Sequence, residues 1–192
     1  MRSLAGLLNP TKLIGLIVFL FSATICVSAW SGNIGAPHSR RLAAVLAILN
    51  ALLFMDILLN GRWRLHDLLE GEAITRNLYG LRTDPQIAAL VFLGVAVLAG
   101  IVLALVCVRG RVGAILAVCG AILSLGCWCA EVISLHAVDK IFYYKVKGVM
   151  LVSMSWIASS LMMSLGILWD ARAARPRDSA PCGKPSVSAT NS

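Results

Sequence analysis

Charge is what this chain has least of. Only 14% of its 192 residues are Asp, Glu, Lys or Arg, where a soluble domain carries about a quarter. With 59% hydrophobic residues and a mean hydropathy of +0.85, that scarcity excludes an ordinary water-soluble core. No glycine-rich phosphate loop is present, so nothing points to a nucleotide site. The six cysteines form no C-x-x-C pair, the arrangement expected of a thiol–disulfide exchange enzyme. Cys127 and Cys129 lie about 200° apart on a helix and cannot bridge each other. The span cysteines therefore read as small apolar fillers. Histidine is rare: His38, His66 and His136 are the full set. Ser134 stands two residues before His136, on a different helical face, which is poor geometry for a nucleophile and its base.

What the chain does have is long apolar runs. Five of them, 13–30, 42–59, 86–108, 112–138 and 146–169, approach or exceed the roughly 20 residues a transmembrane helix needs. The net charge of +8 sits mostly in segments flanking these runs. Flanking Lys and Arg orient membrane proteins, and no basic-aromatic motif accompanies them, so no nucleic-acid partner is expected. The fold class that follows is an all-α integral membrane protein. It is a bundle of five transmembrane helices forming one domain through residue 175, with the lipid bilayer as its main partner. Val27-Ser28-Ala29 offers a signal-peptidase site, and cleavage there would leave four spans. Residues 176–192, rich in Pro, Ser and Ala, lack apolar periodicity and are expected to be disordered.

The segment 60–85 is too long and too patterned for a plain connector. Trp63, Leu65, Leu68, Leu69 and Ile74 interleave with charged residues, which predicts an amphipathic interfacial helix broken at Gly71. With His66 and Glu70 at i,i+4, it is placed to lid whatever lies beneath. Small residues also have a pattern. Ala96, Gly100 and Ala104 in the third span face Gly113, Ala117 and Ala121 in the fourth, across the turn Arg109-Gly110-Arg111. The two stripes are expected to pair. Ser155, Ser159, Ser160 and Ser164 give the fifth span hydroxyls for interhelical bonds. Asp170 and the basic residues after it read as the stop to that span.

Two carboxylates fall inside spans. Asp56 lies roughly 8 Å from the midpoint of the second span, and Glu131 roughly 9 Å from that of the fourth, at 1.5 Å per residue. The two spans run parallel, so both acids are displaced toward the same membrane face. Ionisable groups at depth are costly and usually mark a site. The candidate site is thus Asp56 and Glu131, with Arg64, His66 and His136 as charge partners; Arg62 and Lys140 also stand close in sequence. The opposite face offers only basic anchors and His38.

In size and hydropathy the chain is similar to small multi-pass proteins of bacterial plasma membranes, a likeness that assigns no residue a role. The expected function is non-enzymatic: an accessory or small-ligand or proton-handling component, alone, as a homo-oligomer or within a larger membrane complex. No motif implies a cofactor. The rival expectation is a redox subunit or enzyme holding a metal or haem through His66 and His136. Lys and Arg are nearly balanced between the two faces. The run Arg172, Arg175 and Arg177 after the last span tips the tail to the cytoplasmic side.

Overall fold

The computed structural model describes residues 10–32, 37–75, 83–133, 136–146 and 148–173, without the side chains of Ala73, His136 and Ala137. Helix α1 spans Pro10–Ser31, α2 Pro37–Leu59, α3 Gly61–Thr75, α4 Thr83–Cys107, α5 Val112–Ile133, α6 His136–Phe142 and α7 Leu151–Ala173. Strands β1 (Lys145–Val146) and β2 (Val149–Met150) pair as a short antiparallel ladder. Helices α1, α2, α4, α5 and α7 are each long and apolar enough to cross a membrane. The protein is a multi-pass helical membrane protein. Residues 176–192 lie outside the described part.

Local sequence explains most of the boundaries. Pro10 and Pro37 open α1 and α2, and Pro85 sits in the first turn of α4, where a missing N–H costs nothing. α2 ends where Asn60 turns left-handed, at φ 54°. Lys12 closes that end, donating to Leu58 O at 3.2 Å and Asn60 Oδ1 at 3.1 Å. A cation there suits both the orphan carbonyls and the negative end of the helix dipole.

The bundle is built around α1, α2, α5 and α7. Phe19, Cys26, Leu46, Leu53, Ile57, Ala117, Val152, Trp156, Met163 and Ile167 belong to one buried cluster. Large apolar side chains point outward, among them Ile17, Leu52, Phe92, Leu98 and Leu165, as lipid-facing surfaces require. α4 is the peripheral helix. It packs on α5, where Gly100 meets Ile122 and Gly126 meets Val97, and Ala104 is its one buried residue among those described.

Several expectations change. The fourth span stops at Ile133 rather than 138, and a separate short helix begins at His136. The fifth begins at Leu151, after the β1–β2 turn, and runs through Asp170 to Ala173. Asp170 does not stop the helix because it is buried with partners of its own. α3 continues through Gly71 to Thr75; a helix tolerates one glycine at about 1 kcal/mol.

The small residues of α5 also find a different partner. Gly113, Ala117 and Gly120 face α7, not α4. A Cβ on Gly166 would lie 2.5 Å from Ala117 N and 2.6 Å from Gly113 O, and one on Gly120 would lie 2.6 Å from Ser159 O. Backbone therefore meets backbone, a contact that only hydrogen side chains allow. Gly166→Val should force α5 and α7 apart and lower the midpoint of thermal unfolding in detergent. The cost should exceed the 1–3 kcal/mol typical of overpacking, because backbone rather than side chains must yield. Gly94→Val on α4, where nothing lies within 4 Å, should leave the midpoint unchanged.

Candidate functional site

The ends of α2 and α5, the start of α7, α3 and strand β2 meet at one membrane face. There the left-handed Asn60 is the one residue between the end of α2 and the start of α3. The turn is tight: a Cβ at Gly61 would lie 2.6 Å from Asp56 Oδ1. Glycine at this position lets the first turn of α3 fold over the Asp56 carboxylate, and that brings Arg62 inward.

Arg62 is the centre of the site. Its Nε and Nη2 donate to Asp56 Oδ2 at 2.9 and 2.8 Å. Its Nη1 donates to Glu131 Oε2. The guanidinium lies over the Trp156 ring, 4.8 Å from its centroid. Side-chain exposures are 6% for Arg62, 13% for Asp56 and 3% for Glu131. These are charges taken almost wholly out of water, so each depends on the others. Arginine suits the role because its planar fork offers several donors at fixed angles.

A cavity of about 440 Å³ opens beside the cluster. Glu131 and Arg62 form its polar wall, with Lys12 and Asn60 at the side and Trp63, Tyr143 and Trp156 as aromatic surfaces. Trp63 and Tyr143 lie near-parallel, with centroids 6.2 Å apart and planes 24° apart. Burial pushes the Tyr143 phenol above its ordinary range, and the negative charges of Glu131 and Asp139 add to the effect. Tyr143 thus stays a neutral hydroxyl. A mostly apolar pocket with a few convergent polar groups is the usual form of a small-ligand site.

The residues singled out in the sequence separate here. Asp56 and Glu131 are brought together, but through Arg62. Arg64 is exposed on α3. His66 edges the site without lining the cavity. Its Nδ1 lies 3.4 Å from Val132 O, its Nε2 3.8 Å from Glu70, and its ring stands edge-on to Trp63. The His136 side chain, and with it the pairing to Asp139, lies outside the described residues. Among the described residues no group of three or more His, Cys, Asp or Glu side chains converges as a metal site would require. Arg62 could have been preferred in the sequence: i to i+6 across a helix break reaches back, whereas Arg64 falls half a turn further round.

A second ionic cluster lies at the opposite face, where only anchors were expected. Asp170, 4% exposed, accepts from Ser39 Oγ at 2.5 Å and from Arg111 Nε at 3.0 Å. Arg111 Nη2 also reaches Asp170 Oδ2, and Ser39 Oγ at 3.1 Å. A cavity of about 510 Å³ adjoins it. The close approach of Gly113 to the Asp170 backbone explains the pairing, since Arg111 precedes Gly113 by two residues.

Arg62→Met should leave two buried carboxylates without a counter-charge and destabilise the protein by about 3–5 kcal/mol, the range for breaking a buried ion pair. Thermal unfolding in detergent measures this, and Arg64→Met should have little effect. In an alkaline titration followed by tyrosinate absorbance, one component should ionise late, and Tyr143→Phe should remove it. No protein-family model, curated protein or solved structure matches the chain.

Proposed function

We propose that the protein is a small non-enzymatic membrane component that handles a proton together with a small ligand at the Asp56–Arg62–Glu131 cluster. One observation carries this reading: two nearly buried carboxylates share a single buried guanidinium. With both acids ionised the cluster holds one negative charge too many. Excess charge in a water-poor site is expensive, so the neutral state is the one that has taken up a proton or the cationic group of a ligand. The site is bistable for that reason. Glu131, held by one arm of Arg62 where Asp56 is held by two, is the acid that takes the proton. Losing that ionic contact frees one arm of Arg62 at the cavity wall, which couples proton uptake to the cavity's shape and charge. The chain would reside in a bacterial plasma membrane with its C-terminal tail cytoplasmic, which puts this cluster on the outer face.

The ring of Trp156 beneath Arg62 supplies a direct readout. Tryptophan fluorescence of the detergent-solubilised protein should show a protonation step at the cluster as pH falls. Glu131→Gln and Asp56→Asn should each abolish that step, because either change balances one acid against one guanidinium. Cys127→Ala and Cys129→Ala should retain it. A step that persists unchanged in both carboxamide variants would rule out the cluster as the proton site.

A further inference from the structure

Lys and Arg are nearly balanced between the two faces, but the acids are not. All but two of the nine Asp and Glu residues lie in α3 and α6, or at the ends of α2, α4 and α5 on the Glu131 side. Of the other two, Asp178 lies outside the described residues and Asp170 is paired with Arg111. Arg40, Arg41, Arg109 and Arg172, at the face opposite Glu131, therefore have no carboxylate to offset them among the described residues. Two of these arginines share a recess. Trp30 at the end of α1 and Pro37, Arg40, Arg41 and Ala44 at the start of α2 line about 270 Å³. Arg40 Nε donates to Trp30 O at 3.3 Å, which ties the two helix ends together. Arg41 is exposed and makes no hydrogen bond or ion pair among the described residues.

We infer that this recess seats the phosphate of an anionic phospholipid, with Arg40 and Arg41 as its cationic wall. No acid lines it, whereas the larger cavity beside Asp170 has an arginine whose charge is already balanced by that carboxylate. Its level is interfacial. Trp30 stands half exposed in the last turn of a span, where tryptophans rest among headgroups. Below Arg41 on the same helix, at i+4, i+7 and i+11, Val45, Ile48 and Leu52 are 62, 62 and 63% exposed. At 100° per residue all three lie within about 40° of Arg41. An acyl chain can thus run down the helix face that carries the phosphate at its top. That continuity favours a lipid over a soluble acidic partner, which would meet the arginines from water and leave the apolar stripe uncovered. Guanidinium groups bind phosphate through paired N–H···O bonds, and the positive end of the α2 dipole adds to the attraction. Arginines at the end of a span draw anionic lipids for the same electrostatic reason.

The lipid site is independent of the proton site at the other face. The full chain would be reconstituted in phosphatidylcholine vesicles carrying a minor fraction of phosphatidylglycerol brominated near the carbonyl end of an acyl chain. A parallel set would carry phosphatidylcholine brominated at the same place. Bromine quenches nearby tryptophan, and the difference between each protein and its Trp30→Phe counterpart isolates the Trp30 signal. Quenching of Trp30 should be several-fold greater with brominated phosphatidylglycerol, and added salt should reduce the excess. Arg41→Gln, a change at an exposed position and expected to fold, should remove most of that excess, while Arg41→Lys should keep part of it. Arg109→Gln removes the same charge from the same face but lies outside the recess, and should leave the excess intact. Equal quenching by the two lipids overturns the site and leaves the arginines to a different partner. Equal losses in Arg41→Gln and Arg109→Gln overturn it in favour of diffuse surface attraction. Full displacement by inorganic phosphate at constant ionic strength overturns the lipid as occupant, because phosphate alone would then suffice.

Discussion

The glycine contact between α5 and α7 is the constraint on which both polar ends depend. Gly113, Gly120 and Gly166 let the two backbones approach to distances at which a single methyl group would collide with a peptide. In a bilayer no hydrophobic exclusion drives helices together, so close packing of this kind supplies much of the association. It has a positional consequence as well. With the helices in this register, Arg111 at the start of α5 lies beside Asp170 near the end of α7. At the other end, the cluster around Glu131 lies over Trp156. One packing interface thus assembles two ionic sites about one bilayer apart.

Each site is organised by an arginine that ties together elements distant in the chain. Arg62 links α2, α3 and α5 and rests on α7; Arg111 links α2, α5 and α7. Polar groups inside a membrane tend to find one another because their alternative is hydrocarbon. The two clusters nevertheless differ in charge. Arg111 meets one carboxylate and a hydroxyl, which is a balanced arrangement suited to holding helices. Arg62 meets two carboxylates, which is an unbalanced one. That difference separates a charge-balanced tie from a cluster that carries one excess negative charge when both of its acids are ionised. It could not have been assigned from either arginine's place in the sequence.

Much of the architecture was legible beforehand, and the reasons for the misses are specific. Five spans follow from apolar length alone, because the thickness of the hydrocarbon core leaves few alternatives. The matched depth of Asp56 and Glu131 follows from the fixed rise of a helix and the alternation of crossings. Arg62 was harder to single out over Arg64, because the choice depends on the left-handed Asn60 and the fold-back it permits at Gly61. Asp170 looked like a helix stop because a charge after an apolar run usually lies in water. Its burial depends on Arg111 and Ser39, which are 59 and 131 residues away in the chain. The small-residue stripe of α5 was visible, but its partner was not, since a tight turn to α4 suggests adjacency without fixing which face each helix presents.

The sequence by itself determined quantities that are local or counted along one helix: class, span number, depth of each acid, and where polar residues are scarce. These depend on the bilayer acting as a solvent of known thickness, and every apolar segment meets that solvent on the same terms. The tertiary structure decided which of several available cations each buried acid pairs with and which helix meets the glycine face. It also decided whether a serine finds a partner. Those outcomes turn on helix rotation and approach over a few ångströms, which are set jointly by all the packed elements and are written in no single segment.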